Sequence, residues 1–179
     1  MTSFKDKYII FKNDQNKDYH QLSNPYICEF YDDESGITFS CANHYIAYKK
    51  AIFENNNEIL KNIHHFNENL TLFRTFIYRE QLTGKHRDEN NKEYKKWQEW
   101  LEVYPIFLKE ALILKFSQNP ELADILVDTG DKILLYLNIY DPFLGISTWE
   151  KTTVTGKYKG KNVLGDLLME VRDMAVSWL

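Results

Sequence analysis

A chain of 179 residues is long enough for one domain with a substantial core and short for two. Hydrophobic residues at 44% against 27% charged give a globular balance and argue against an intrinsically disordered chain. A formal net charge of −4 supplies no basic field for a phosphate polymer, so nucleic acid is a poor partner, while a small anionic ligand in a local pocket stays open. No apolar run approaches the ~20 residues of a membrane helix, and residues 1–6 lack a signal peptide's apolar stretch, which reads as a soluble, intracellular, cytoplasmic protein with no membrane partner. Cys28 and Cys41 are too few for a disulfide framework and lack metal-ligand spacing, so they read as reduced structural thiols.

In chain order, the aromatic and β-branched clusters Tyr8-Ile9-Ile10-Phe11, 27–31 and Ile37-Thr38-Phe39 are separated by Asp, Asn, Ser and Gly, the signature of short strands and turns. From Ser40, a candidate N-cap, Cys41, Tyr45, Tyr48 and Ile52 fall on one helical stripe that ends near Asn55-Asn56-Asn57. A less regular helical stretch covers 58–81, and 84–91 is a charged connection with no core signal. Trp97, Trp100, Leu101, Tyr104, Leu108, Ala111 and Leu112 then have the spacing of a buried helix, which Pro105 should kink or restart. Asn119-Pro120 opens a short helix that Thr129-Gly130 stops.

Ile133, Leu135, Leu137 and Ile139 alternate with Leu134, Tyr136, Asn138 and Tyr140 as a period-two strand ended by Asp141-Pro142. A connection at 156–160, containing the turn Thr155-Gly156-Lys157, leads to a last helix with the stripe Leu164, Leu168, Val171, Met174 or Ala175, and Trp178. These elements predict an α+β fold: a mainly helical single domain, residues 1–179, with a small β-sheet. His64-His65 does not make a metal site, because adjacent helical residues point ~100° apart and no Cys or carboxylate completes a shell. No nucleophile elbow, P-loop or dinucleotide fingerprint occurs.

Three segments carry a family pattern. GKNVLGDLLMEVR, from Gly160 to Arg172, resembles the Gly-x-Asn-x-Leu-Gly-x-x-Leu-Met-x-x-Arg signature of the NADAR, or YbiA-like, family of N-glycosidases. From Trp100 through ALILKFSQNPELADILVDTGDKIL to Asp141, the family's Trp, Lys-Phe, Glu-Leu, Leu, Thr, Leu and Asp fall in register. FSCANHYIAYKKA, from Phe39 to Ala51 and preceded by Ser23-Asn24, is similar to the third. The resemblance leaves mainly 52–96 unassigned.

It implies hydrolysis of a ribose–nitrogen bond, in ribosylamino-pyrimidine phosphates of the early riboflavin pathway or in ADP-ribose attached to a nucleobase, without metal or redox cofactor. The implied partner is a small ribosyl phosphate or nucleotide-like molecule, and nucleic acid only as an ADP-ribosylated base. The resemblance implies Asp141 as catalytic carboxylate, with Glu29 or Asp32 as candidate assistants. It implies substrate-binding roles for Asn24, Asn43, Lys50, Trp100, Asn162 and Gly165. Lys50 would pair with a phosphate. Asn162 and Gly165 would cap the last helix and line an anion site at its N-terminus.

Two positions depart from the pattern. Asn43 stands where the family has a glutamate thought to serve catalysis. An amide cannot exchange a proton near neutral pH, although it can bond a ribose hydroxyl. Leu144 stands before Gly145 where the family tends to have a tryptophan. The alternative to a glycosidase is therefore a catalytically impaired member that binds a nucleotide or ADP-ribose-like ligand without cleaving it.

Overall fold

The computed structural model describes residues 7–78, 92–150 and 157–178. In chain order its elements are β1 (Tyr8–Phe11), β2 (Phe30–Asp32), β3 (Ile37–Phe39), α1 (Ala42–Glu54), α2 (Asn57–Lys61), α3 (Leu70–Tyr78), α4 (Lys92–Ser117), α5 (Pro120–Val127), β4 (Ile133–Tyr136), β5 (Thr148–Glu150), β6 (Lys157–Lys159) and α6 (Val163–Ala175). Short 3-10 turns cover His20–Leu22 and Ile63–His65. The fold is α+β and mainly helical, and the described strands join only in pairs, β1 with β4, β2 with β3 and β5 with β6. The connection expected over 84–91, the helix end expected at 81 and the turn residues 155–156 lie outside the described residues, as do residues 1–6.

The chain divides into two compact units, one built from 1–26 and 116–179, the other from 27–115. In the first, β1 runs parallel to β4, with Tyr8 opposite Ile133 and Phe11 opposite Tyr136. Leu134, Leu135 and Tyr136 are buried in succession, so β4 is covered on both faces. The expected alternation out to Ile139 therefore fails: the strand stops at Tyr136, Leu137 makes a single parallel bridge to Ile146, and Ile139 is exposed. The apolar stripe of α6, Leu164, Leu168, Val171 and Ala175, is buried, whereas Met174 faces solvent. α6 packs on β4 and on α5. Burying each leucine removes on the order of 2 kcal/mol of unfavourable hydration.

In the second unit, Phe30 pairs with Phe39 across the β2–β3 hairpin, and their rings join Tyr45, Ala47, Ile59, Ile63, Phe66, Phe73 and Ala111 in one core. Gly36, with φ of 68°, makes the hairpin turn that Asp32 closes by accepting from the Ser35 amide at 3.3 Å. α1 begins one residue later than expected, with Cys41 rather than Ser40 at its N-cap, and ends at Asn55 in the left-handed conformation. Ile52 is exposed, because the helix buries Ala42 through Ala47 and then Lys50 and Ala51. The stretch expected as one helix after Glu58 breaks into α2, a 3-10 turn and α3. Pro105, by contrast, lies inside one continuous helix, α4, with Trp100, Tyr104, Leu108, Ala111 and Leu112 buried as the stripe predicts.

Gly165 lets α6 approach β4, since a Cβ there would overlap the Leu134 carbonyl oxygen and the Asn162 side chain. Gly130 has open space around it and only a left-handed φ of 56° to satisfy. Gly165→Ala should cost about 1–3 kcal/mol in urea unfolding from overpacking, and Gly130→Ala about 1 kcal/mol from backbone strain alone. Equal losses would contradict the close-packing role of Gly165.

Candidate functional site

The loop carrying Asp141 is fixed by its own polar groups. The Asn138 amide donates to the Ile146 carbonyl at 2.9 Å and the Tyr140 amide to Asn138 Oδ1 at 3.1 Å. Asp141 Oδ1 accepts from the Phe143 and Leu144 amides at 3.2 and 3.0 Å, and the Gly145 amide donates to the Asp141 carbonyl at 2.9 Å. Asp141 is thus a buried turn residue, five positions beyond the end of β4 rather than at it. Leu144 is only 2% exposed, so the residue in the tryptophan's place belongs to the core.

This loop docks on the segment that leads into α6. The amides of Lys161, Asn162, Val163 and Leu164 donate to the carbonyls of Pro142, Gly145, Phe143 and Leu144. Gly160, with φ of 125°, permits the approach, since a Cβ would overlap the Gly145 carbonyl oxygen. The amides of Asn162, Val163 and Leu164 therefore hold the loop and do not stand open to an anion, which corrects the expectation of an anion on the Asn162 amide.

Asn162 makes no side-chain cap either. Its buried amide instead bridges to β4, accepting from the Tyr136 amide at 3.0 Å and donating to the Leu134 carbonyl at 2.9 Å and Asp166 Oδ1 at 3.1 Å. Nearby, the Lys161 ammonium sits 5.2 Å over the Phe143 ring.

Asn24, in the same unit, behaves differently. It follows the 3-10 turn His20–Leu22, in which Ser23 Oγ donates to the His20 carbonyl at 2.6 Å, and that turn packs on α5. Asn24 is 1% exposed, yet neither its Oδ1 nor its Nδ2 has a hydrogen-bond partner among the described residues. A buried amide without partners costs about 1–3 kcal/mol, so Asn24 is the polar side chain here best suited to take a ligand.

The second unit holds Asn43, Lys50 and Trp100. Asn43 is buried in the first turn of α1. Lys50 is not a solvated lysine: it is 1% exposed, donates to the Phe76 carbonyl at 3.1 Å, lies 3.8 Å from Glu54 and covers the Phe76 ring at 5.0 Å. Trp100 is buried among Phe53, Tyr104 and Phe107, with the last ring stacked at 5.8 Å, which gives it a packing role. Of the suggested assistants, Asp32 is engaged in the hairpin turn and Glu29 is exposed. His64 and His65 lie in a 3-10 turn, and His65 pairs with Glu68 at 3.3 Å. Among the described residues no group of three or more His, Cys, Asp or Glu is placed to hold a metal ion, and no helix is long and apolar enough to cross a membrane.

Three groups in this unit had no assigned role in the sequence. His44 Nε2 donates to the Ile63 carbonyl at 2.7 Å, its Nδ1 accepts from the Ser40 amide at 3.1 Å, and the ring stacks on Phe66 at 4.4 Å. These partners fix one neutral tautomer, and burial pulls its pKa down to about 4. The Tyr45 hydroxyl donates to Glu110 at 2.9 Å, and burial, then that bond, push its pKa up. Lys115 is fully buried, and burial lowers its pKa to about 8 against the opposing influence of Cys28 and Cys41. Its signal was legible: Lys115 continues the stripe of Leu108, Ala111 and Leu112 at i+7, i+4 and i+3.

The NADAR domain family matches residues 10–175, through both units, and the chain belongs to that family. It is 40% identical over 63 residues to the N-glycosidase R617 of Acanthamoeba polyphaga mimivirus, a match covering 34% of this chain and 37% of that protein. The chain thus spans just over a third of the length of this curated relative. The NMR structure of the E. coli protein YbiA matches with a TM-score of 0.62 and 24% identity over 96% of this chain and 87% of that one, which fixes the shared fold.

Two outcomes follow from this geometry. Asp141→Asn retains an oxygen for the Phe143 and Leu144 amides and should leave the thermal midpoint nearly unchanged, whereas Asp141→Ala orphans both and should lose about 1–3 kcal/mol. Equal effects in thermal melts would rule out the turn-forming role.

His44 titrates near 6.5 unfolded and near 4 folded. Its contribution to stability is therefore complete above pH 6.5 and is lost as pH falls toward 4, by on the order of 2–3 kcal/mol. His44→Gln should flatten the fall in midpoint between pH 6.5 and 4.5; an unchanged slope would contradict the buried neutral tautomer.

Proposed function

We propose that this NADAR protein is an N-glycosidase that hydrolyses the ribose–nitrogen bond of ribosylamino-pyrimidine phosphates or related ribosylated nucleotides. Family membership and identity with a protein named as an N-glycosidase support the reaction class. The observation that carries a ligand-binding role for this chain's own residues is Asn24, a buried amide whose donor and acceptor edges both lack protein partners. An amide offering both edges suits a pair of ribose hydroxyls.

In this reaction the anomeric carbon–nitrogen bond breaks as its electron pair leaves with the nitrogen, which accepts a proton. The sugar passes through an oxocarbenium-like cation that water then captures, releasing a proton. Asp141 is the carboxylate proposed to stabilise that cation or to handle the proton. Its Oδ1 is held by two amides, which aims the group without relying on a flexible side chain. The partner is the small ribosyl phosphate itself.

A second reading rests on Asn43. With an amide where the family has a glutamate, the chain would bind such a ligand and leave it intact.

Incubation of the purified protein with a ribosylamino-pyrimidine 5-phosphate should release ribose 5-phosphate, and Asp141→Asn should slow release by about 100-fold or more with an unchanged thermal midpoint. Full activity in that variant would remove Asp141 from the chemistry. No release, together with saturable binding by calorimetry, would decide for the binder.

A further inference from the structure

The loop that fixes Asp141 also presents two apolar side chains to solvent. Ile139 is 59% exposed and Tyr140 77% exposed, the latter more than any other large hydrophobic residue among those described. Large exposed apolar groups in loops are ordinary when the backbone is mobile and polar. Here the backbone on both sides of Tyr140 is bonded. Its own amide donates to Asn138 Oδ1, the next amide donates to the Asn138 carbonyl at 3.3 Å, and the following turn is closed by Asp141. The ring therefore stands on a fixed base with two rotatable bonds to restrict, which keeps the ordering cost of a contact low.

The position in the tryptophan's place cannot serve as a stacking surface, because Leu144 is buried and its amide and carbonyl are tied to Asp141 and Leu164. The other aromatic ring of the loop, Phe143, already has the Lys161 ammonium over it. Among the described residues no ring or cation stacks on Tyr140, which leaves its face for a ligand.

We infer that Tyr140 is the stacking platform for the planar heterocycle that departs from the ribose, a specificity-determining residue of the glycosidase reading on which this inference rests. Neighbouring residues stand ~3.8 Å apart at Cα. If Asp141 addresses the anomeric carbon, the heterocycle bonded to that carbon comes within reach of a side chain on the adjacent residue. The phosphate lies at the far end of the sugar. Stacking recognises any planar base face, so the platform favours an aromatic leaving group without selecting one base by hydrogen bonds.

The test uses the full chain carrying Asp141→Asn, so that bound ligand persists, and compares a ribosylamino-pyrimidine 5-phosphate with ribose 5-phosphate by calorimetry. Adding Tyr140→Ala should weaken the first about tenfold and leave the second unchanged, and Tyr140→Trp should restore the first. If Tyr140→Ala leaves both unchanged, or weakens both alike, the platform is overturned while turnover by the parent chain keeps the glycosidase reading. If the parent chain neither releases ribose 5-phosphate nor binds either compound, the functional reading falls and the platform falls with it.

Discussion

The first unit depends on the side chain of Asn162. Its backbone takes the left-handed conformation, φ 54°, which an asparagine tolerates better than most residues. Its amide completes the hydrogen bonds of β4 on the side where no described strand pairs with it, to the Tyr136 amide and the Leu134 carbonyl. From the same point the backbone holds Gly145. One residue thereby joins the strand, the last helix and the loop of Asp141, and leaves that loop stiff. Neither alanine nor aspartate replaces it: alanine bonds nothing, and aspartate has no donor for the Leu134 carbonyl.

The second unit solves the converse problem of burying polar groups without exposing them. His44 is satisfied at both nitrogens and stacked on Phe66, and Lys50 reaches the Phe76 carbonyl. Each arrangement ties α1 to a segment distant in sequence. A buried group with such partners specifies one packing, since any other would leave it unpaired. In the first unit, Asn24 is buried without such partners among the described residues, which is the ground for proposing that it takes a ligand.

Local periodicity made the helices legible. Within the stripe from Trp100 to Leu112 all but the partly exposed Leu101 are buried, and Asn119-Pro120 opens α5 with proline at its start. Pro105 did not restart the helix, because removing one backbone donor near the middle of a long, packed helix does not end it when the flanking face is buried. The alternation read beyond Tyr136 failed because β4 is covered on both faces, where period two carries no information. Among site residues, Asp141's turn was legible from Asp-Pro chemistry. The work of Asn162 was not, because its partners lie 26 and 28 residues away. Lys50 was expected to face a phosphate, and its burial was not legible, because a lysine pair in sequence gives no sign that a later helix will supply a carbonyl.

In the function proposed here, the Asn24 amide completes its hydrogen bonds on a sugar ligand. A crystal structure of the protein with ribose 5-phosphate bound tests it most directly. Ribose hydroxyls are expected about 2.7–3.2 Å from Asn24 Oδ1 and Nδ2. A bound sugar phosphate elsewhere, with both Asn24 atoms bonded only to protein groups or to water, would contradict it.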